Sequence, residues 1–212
     1  MISHQYTIHQ FLGRVSARMI CSLTLTEARV LGAEVLEDLP RPYVLMINHC
    51  SDWDPIVVWG YFPDCMNFMI KESLHRVPFF KDMSILAGNI PVRRDRNDFS
   101  ALKQAIRHLR SGYNLAIFPE GTRSLDGRLQ PFKEGAVSLA AKVRCPVVPV
   151  VVHGTYAVSC KNSFFLRSNP TEIHILQPRL EPVESSLTSE EIKSLTQEVH
   201  GSIANYQKIL MK

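Results

Sequence analysis

YVLMIN, residues 43–48, is an apolar run of strand length that opens after Pro42 and closes on an amide side chain. A run this short, with no polar alternation, reads as a strand buried on both faces. The same kind of run returns at NFMI (67–70), NLAIF (114–118) and VVPVVV (147–152), and a polar-alternating one at EIHIL (172–176). Between these runs the pattern predicts helices over 55–61, 78–87, 99–109 and 132–143. Strands alternating with helices define an α/β fold, here a single domain with a mostly parallel mixed sheet flanked by helices. Ligands of such folds gather at the carboxyl ends of the strands.

Outward from this centre, residues 5–23 place Ile8, Phe11, Leu12, Val15, Met19 and Leu23 at steps of three and four. That is an amphipathic helix able to lie on a membrane or on its own core. Residues 1–27 are therefore read as a membrane-associating helical segment and 28–212 as the folded domain. At the other end Leu187, Thr188 and Glu191 form a capping box with its staple ahead of a helix striped by Ile192, Leu195, Val199, Ile203, Tyr206 and Leu210. At 212 residues one core suffices, and 45% hydrophobic with 21% charged residues argues against disorder.

The net charge of +4 is mild, but between Lys71 and Lys133 twelve basic residues face six acids, so the excess is central. The chain lacks the aromatic interleaving of a single-strand nucleic-acid binder, and no nucleic-acid partner is expected. Five cysteines, with no CxxC pair, disfavour a disulfide framework and a zinc knuckle and point to a reducing compartment. No apolar run is long enough to cross a bilayer and the first residues lack a secretion leader, so the expectation is a protein of the cytosolic side.

The buried run leads into NHCSDWDP, residues 48–55. One reading makes Asp54 an N-cap ahead of Pro55 and His49 a strand-end polar residue. The other makes a dyad: Asp54 holds one imidazole nitrogen while the second takes a proton from a hydroxyl. The two roles of Asp54 are compatible. Cys50, adjacent to His49 in an extended segment, points to the opposite side; Ser51 is a minor candidate nucleophile. A metal site would need further ligands at recognisable spacing, and none is expected. FPEGTRS (118–124) follows another buried run, with Gly121 permitting a tight turn that presents Glu120 and Arg123 at the same sheet edge. GNIPVRR (88–94) and IKES (70–73) bring Arg94 and Lys71 from two further strand ends. Several cations converging on one edge suit a phosphate.

These stretches resemble, in order, the NHxSxxD, GxIxVxR, FPEGTRS and VPV blocks of the glycerolipid acyltransferases, the last in VVPVVVHGT (147–155). The resemblance spans Asn48 to Thr155, about half the chain, and is strongest to the 1-acylglycerol-3-phosphate (lysophosphatidic acid) acyltransferases. It implies transfer of a fatty acyl group from a thioester of coenzyme A or acyl carrier protein, as co-substrate with no cofactor, to the hydroxyl of a lysophospholipid. It implies His49 as general base, Asp54 as its orienting acid, and Lys71, Arg94, Glu120, Gly121 and Arg123 in acceptor binding. Pro149 would support the site. Arg93 stands where many relatives carry an acid or small polar residue, so either arginine can face the phosphate.

The chemistry suits this picture. An alcohol needs a base poised near neutral pH to attack a thioester, and the resulting oxyanion needs donors, for which amides near the first helix start or the Gly121 turn are candidates. Phe79, Phe80 and the valine-rich strand are candidate walls of an acyl groove. The implied location is the cytoplasmic face of a membrane, peripherally bound, with acyl carrier protein a candidate partner. The rivals are an acyltransferase for another lysolipid, a hydrolase using Ser51, and a non-catalytic basic lipid-binding module.

Overall fold

YVLMIN becomes the middle of the molecule. A computed structural model describes residues 4–76, 81, 84–85, 87–93, 98–160, 166–179 and 187–211. Its seven strands are β1 (Ala28–Leu31), β2 (Val44–Ile47), β3 (Met66–Lys71), β4 (Ile90–Val92), β5 (Asn114–Ile117), β6 (Val147–His153) and β7 (Thr171–Ile175). They form one sheet in the order β1-β7-β6-β2-β5-β3-β4. Five run parallel, while β7 is antiparallel to β6 and carries β1 parallel to itself.

The inner strands divide their side chains between two helix layers, as the two-residue period requires. Leu45 and Ile47 face a core with Val57, Val58, Phe62 and Phe68; Val44 and Met46 face a second core with Ala105, Leu109, Leu139 and Val199. The first layer is α1 (His4–Leu23) and α2 (Asp54–Tyr61). The second is α3 (Phe99–Arg110), α4 (Gly135–Val143) and α6 (Ser189–Leu210), while α5 (Thr155–Val158) follows β6. All four residues of β2 are buried, as the sequence led one to expect.

Pro149 sits in the central strand β6 without cost for a geometric reason. Its carbonyl accepts from the Leu176 amide on the β7 side, so its missing N–H also falls there, just past the end of β7. Strands β1 and β4 escaped the pattern. ARVL alternates half-buried and exposed positions on the sheet edge, and IPV is three residues long. Helix α4 begins at Gly135 and not at 132, because the Lys133 amide is taken by the Pro119 carbonyl. The helix expected over 78–87 lies largely outside the described residues. The capping box of α6 is present, with Thr188 and Glu191 bonded reciprocally.

Helix α1 is turned opposite to what a core-facing apolar stripe would give. Its buried face is Gln10, Gly13, Ala17 and Cys21, while Phe11 (64%), Met19 (61%) and Leu23 (82%) stand in solvent. Small residues decide this: a Cβ at Gly13 would overlap the Trp59 indole, and Gly60 of α2 meets Ala17 and the Arg18 backbone. Arg14 donates to the carbonyls of Pro63 and Asp64, and Arg18 to that of Gly60 while lying over the Tyr61 ring, so cations meet the carboxyl end of α2. Among the described residues no helix is long and apolar enough to cross a membrane.

Candidate active site

The end of β2 is finished by side chains acting as backbone. Asn48 Nδ2 donates to the Val152 carbonyl at 3.0 Å and its Oδ1 accepts from the Val152 amide at 2.7 Å, which continues the β2–β6 ladder one residue past the strand. The next residue is His49, whose main chain is clamped by the FPEGTRS turn. Its amide donates to Glu120 Oε1 at 2.5 Å and its carbonyl accepts from the Ser124 amide at 2.8 Å. Its ring stacks on Phe118, centroids 4.1 Å apart.

His49 Nδ1 lies 2.9 Å from Asp54 Oδ2. The same oxygen accepts from the amides of Cys50 and Ser51, both at 2.8 Å, so it faces His49 as an acceptor. Nδ1 therefore carries the proton and Nε2 keeps the lone pair. Asp54 is fully buried, whereas the ring of His49 retains a small opening. Trp53 Nε1 is the one buried side-chain polar atom without a partner among the described residues, so the unbonded Nε2 is an accessible one. This is the geometry of a base presented to a hydroxyl.

Asp54 does not cap its helix. Trp53 holds the cap position with no side-chain bond, and the carboxylate is turned back to the amides upstream. Its other oxygen, Oδ1, accepts from Thr155 Oγ1, a contact with no signal in the local sequence. The hydrolase rival fails on geometry, because Ser51 is fully buried, donates to the Ser159 carbonyl at 2.6 Å and accepts from the Trp53 amide. Cys50 is packed against Thr155 and Asp54, and burial pushes its thiol far up, away from nucleophilic character.

Glu120 faces inward. Oε1 takes the His49 amide and Oε2 the Gln130 amide at 2.9 Å, so both oxygens hold main chain. Burial pushes its carboxyl up to about 7, with the two amides opposing the rise and the Asp54 charge adding to it. Gly121 has φ +74 and its amide is bonded to the Phe118 carbonyl; the Lys133 side chain lies where a Cβ would point. Arg123 pairs with Asp52, in the loop that follows His49. The sequence offered amides near the first helix start or the Gly121 turn as oxyanion donors; around these two places the amides of Cys50, Ser51, Asp54 and Gly121 are engaged internally.

Lys71 ends β3 in solvent, and register carries it to the level of Pro119, two strands from β2. At roughly 5 Å per strand that is about 10 Å from the His49 strand. Arg94, Phe79 and Phe80 lie outside the described residues. Arg93, at the end of β4, pairs with Glu72 at 3.2 Å. A cavity of about 500 Å³ opens here on the α3–α4 face of the sheet, floored by Met69, Val92, Leu102, Ile117 and Leu139 and rimmed by Arg93 and Lys133. Phe118, the ring beneath His49, also lines it. The valine-rich strand β6 does not, since Val147–Val152 are buried within the sheet. Lys133 was missed by sequence reasoning: a single lysine ahead of an apolar helix carries no distinguishing pattern. Among the described residues no group of three or more His, Cys, Asp or Glu side chains is arranged to hold a metal.

A buried acid–histidine pair at the carboxyl edge of an α/β sheet, beside an apolar cavity with a cationic rim, defines a class, and the chain belongs to it: the Acyltransferase family model matches residues 29–153. Within that family the chain is 30% identical to a 1-acyl-sn-glycerol-3-phosphate acyltransferase of Cocos nucifera over 78% of its length, 54% of the relative's. It is 31% identical to the Saccharomyces cerevisiae enzyme of the same name over 86% of its length, 60% of the relative's. It thus spans about half the length of the curated relatives it matches. The crystal structure of the 1-acyl-sn-glycerophosphate (LPA) acyltransferase PlsC from Thermotoga maritima superposes with a TM-score of 0.83 at 25% identity, covering 100% of this chain and 84% of that one.

Proposed function

We propose that this protein transfers a fatty acyl group from a thioester, carried by coenzyme A or acyl carrier protein, to the free hydroxyl of a lysophospholipid, with lysophosphatidic acid the first acceptor. The observation that carries the reading is the His49–Asp54 pair, with Nδ1 tied to a buried carboxylate and Nε2 open. Nε2 takes the hydroxyl proton as the acceptor oxygen attacks the thioester carbonyl. The Asp54 charge steadies the imidazolium that forms. The tetrahedral intermediate collapses to the ester, the C–S bond breaks, and the proton held by His49 goes to the departing thiolate. No covalent enzyme intermediate is needed. Arg123 faces the acceptor phosphate from the loop beside His49, with Lys71, Arg93 and Arg94 as further cations of that edge. The test supplies labelled acyl thioesters with a panel of lysolipids in micelles and identifies products by mass. Phosphatidic acid is expected; a product from a neutral acceptor alone overturns the phosphate assignment.

The outward apolar stripe of α1 supports peripheral seating on the cytoplasmic face of a membrane. Burying Phe11 and Met19 in lipid contributes about 2 kcal/mol each. The protein is expected to pellet with anionic vesicles, and the double variant Phe11→Glu, Met19→Glu to lose at least about tenfold in binding while keeping its thermal stability, since neither side chain is in the core. Unchanged pelleting by the variant overturns the assignment.

A further inference from the structure

The turn HGT that leaves β6 delivers one side chain to the site from far along the chain. Gly154 has φ +87, and a Cβ there would overlap the Pro170 carbonyl oxygen, so the turn admits glycine alone. Asn169 Nδ2 donates to the Gly154 carbonyl at 3.0 Å and fixes the turn from outside. Thr155 then opens α5, fully buried, with its hydroxyl donating to Asp54 Oδ1 and lying 3.4 Å from Cys50 Sγ. At the other end of α5 the Ser159 carbonyl accepts from Ser51 Oγ. Both ends of this short helix are therefore fastened to the loop that carries the acid.

We propose that Thr155 is a positioning residue for acyl transfer, acting through Asp54 to set the orientation of the carboxylate and its pull on His49 Nδ1. The inference rests on His49 being the base of the reaction. The two oxygens of a carboxylate are rigidly coplanar, so a donor that fixes Oδ1 also fixes the lone pair of Oδ2 that meets the imidazole. Oδ2 has three N–H donors, whereas the hydroxyl of Thr155 is the oxygen donor on Oδ1, with the Cys50 thiol beside it at 3.7 Å. The titratable groups facing Asp54 are His49 and Cys50, and Glu120 lies close enough to feel its charge. Neither Cys50 nor Glu120 can replace the lost donor: the thiol is a weak one, and Glu120 is spent on two amides. Without the hydroxyl, Asp54 becomes a stronger base toward Nδ1, and His49 is protonated at higher pH.

The test compares Thr155→Val, which keeps the volume and removes the hydroxyl, with Thr155→Ser, which keeps the hydroxyl. Thr155→Val is expected to lower kcat about tenfold, the scale of one charge-assisted hydrogen bond. KM for both substrates should stay within about twofold and the acid limb of the kcat profile should move to higher pH. Thr155→Ser should restore kcat and the limb. Titration of the His49 ring followed by NMR without substrate should show the same upward move in Thr155→Val, and it reads the coupling even if no lysolipid proves to be an acceptor. The inference is overturned if Thr155→Ser fails as badly as Thr155→Val, or if Thr155→Val leaves both kcat and the ring titration where they were.

Discussion

His49→Ala is expected to lower single-turnover acyl transfer by about 10³-fold or more, at the upper end of general-base effects, while acceptor binding changes little. The base is removed, but the Arg123 side chain and the apolar cavity are not. Asp54→Asn is a sharper probe. The amides of Cys50 and Ser51 both point at the Oδ2 position, so an asparagine must place its carbonyl oxygen there. That oxygen still accepts from Nδ1, and the productive tautomer survives. The loss, expected at about 10²-fold or more, is then that of the negative charge facing the imidazolium, with no tautomer change added. Ser51→Ala separates transfer from hydrolysis through a nucleophile. It should keep kcat within about threefold yet lower the melting temperature, because the Ser159 carbonyl and Trp53 amide lose a buried partner costing about 1–3 kcal/mol. Stopped assays on the three variants, with melting curves alongside, check all of this. An inactive Ser51→Ala of normal stability would return the hydrolase mechanism to contention.

The strands that place the site were legible because burial on both faces leaves an apolar signature, and β2, β5 and β6 carry it. β1 lacks it: Arg29 and Leu31 on an exposed edge show no more pattern than a loop, and its pairing with β7 lies some 140 residues away in register. The dyad was legible for a local reason, since five residues of loop and helix start fix His49 against Asp54. Thr155 was not, because the turn that brings it depends on Gly154 meeting Pro170. Glu120 was seen as a charged residue at the right edge, but sequence does not say which way a carboxylate turns at a tight bend. Two backbone amides turn it inward. In α1 two stripes share the same 3.6-residue period, one large and apolar, one small. The small one wins the packing because Trp59 and Gly60 demand close approach, which hydrophobicity alone does not reveal.

Between pH 4.5 and 6.5 a buried carboxyl and a half-buried imidazole should pull the stability of this fold in opposite directions. Burial raises Glu120 from its ordinary 4.5 to about 7, so in that interval the folded chain binds a proton that the unfolded chain has released. Stability from this group is present below pH 4.5 and is lost as pH rises through 7, by on the order of 3 kcal/mol. His108, half-buried with its Nε2 against Asn67 Oδ1, is lowered by desolvation from 6.5 to about 4. There the unfolded chain binds the extra proton, so stability is present above pH 6.5 and is lost as pH falls toward 4, by a similar amount. The two slopes nearly cancel. Glu120→Gln keeps an oxygen for the His49 amide and does not titrate, so it should unmask the His108 slope: urea midpoints that rise from pH 4.5 to 6.5 and then level off. His108→Gln should unmask the other, with midpoints that fall from pH 4.5 to 7. If Glu120→Gln and the parent chain give parallel midpoint curves, burial does not hold the Glu120 carboxyl up in the folded chain, and the account of how the FPEGTRS turn clamps His49 through a buried carboxyl must change with it.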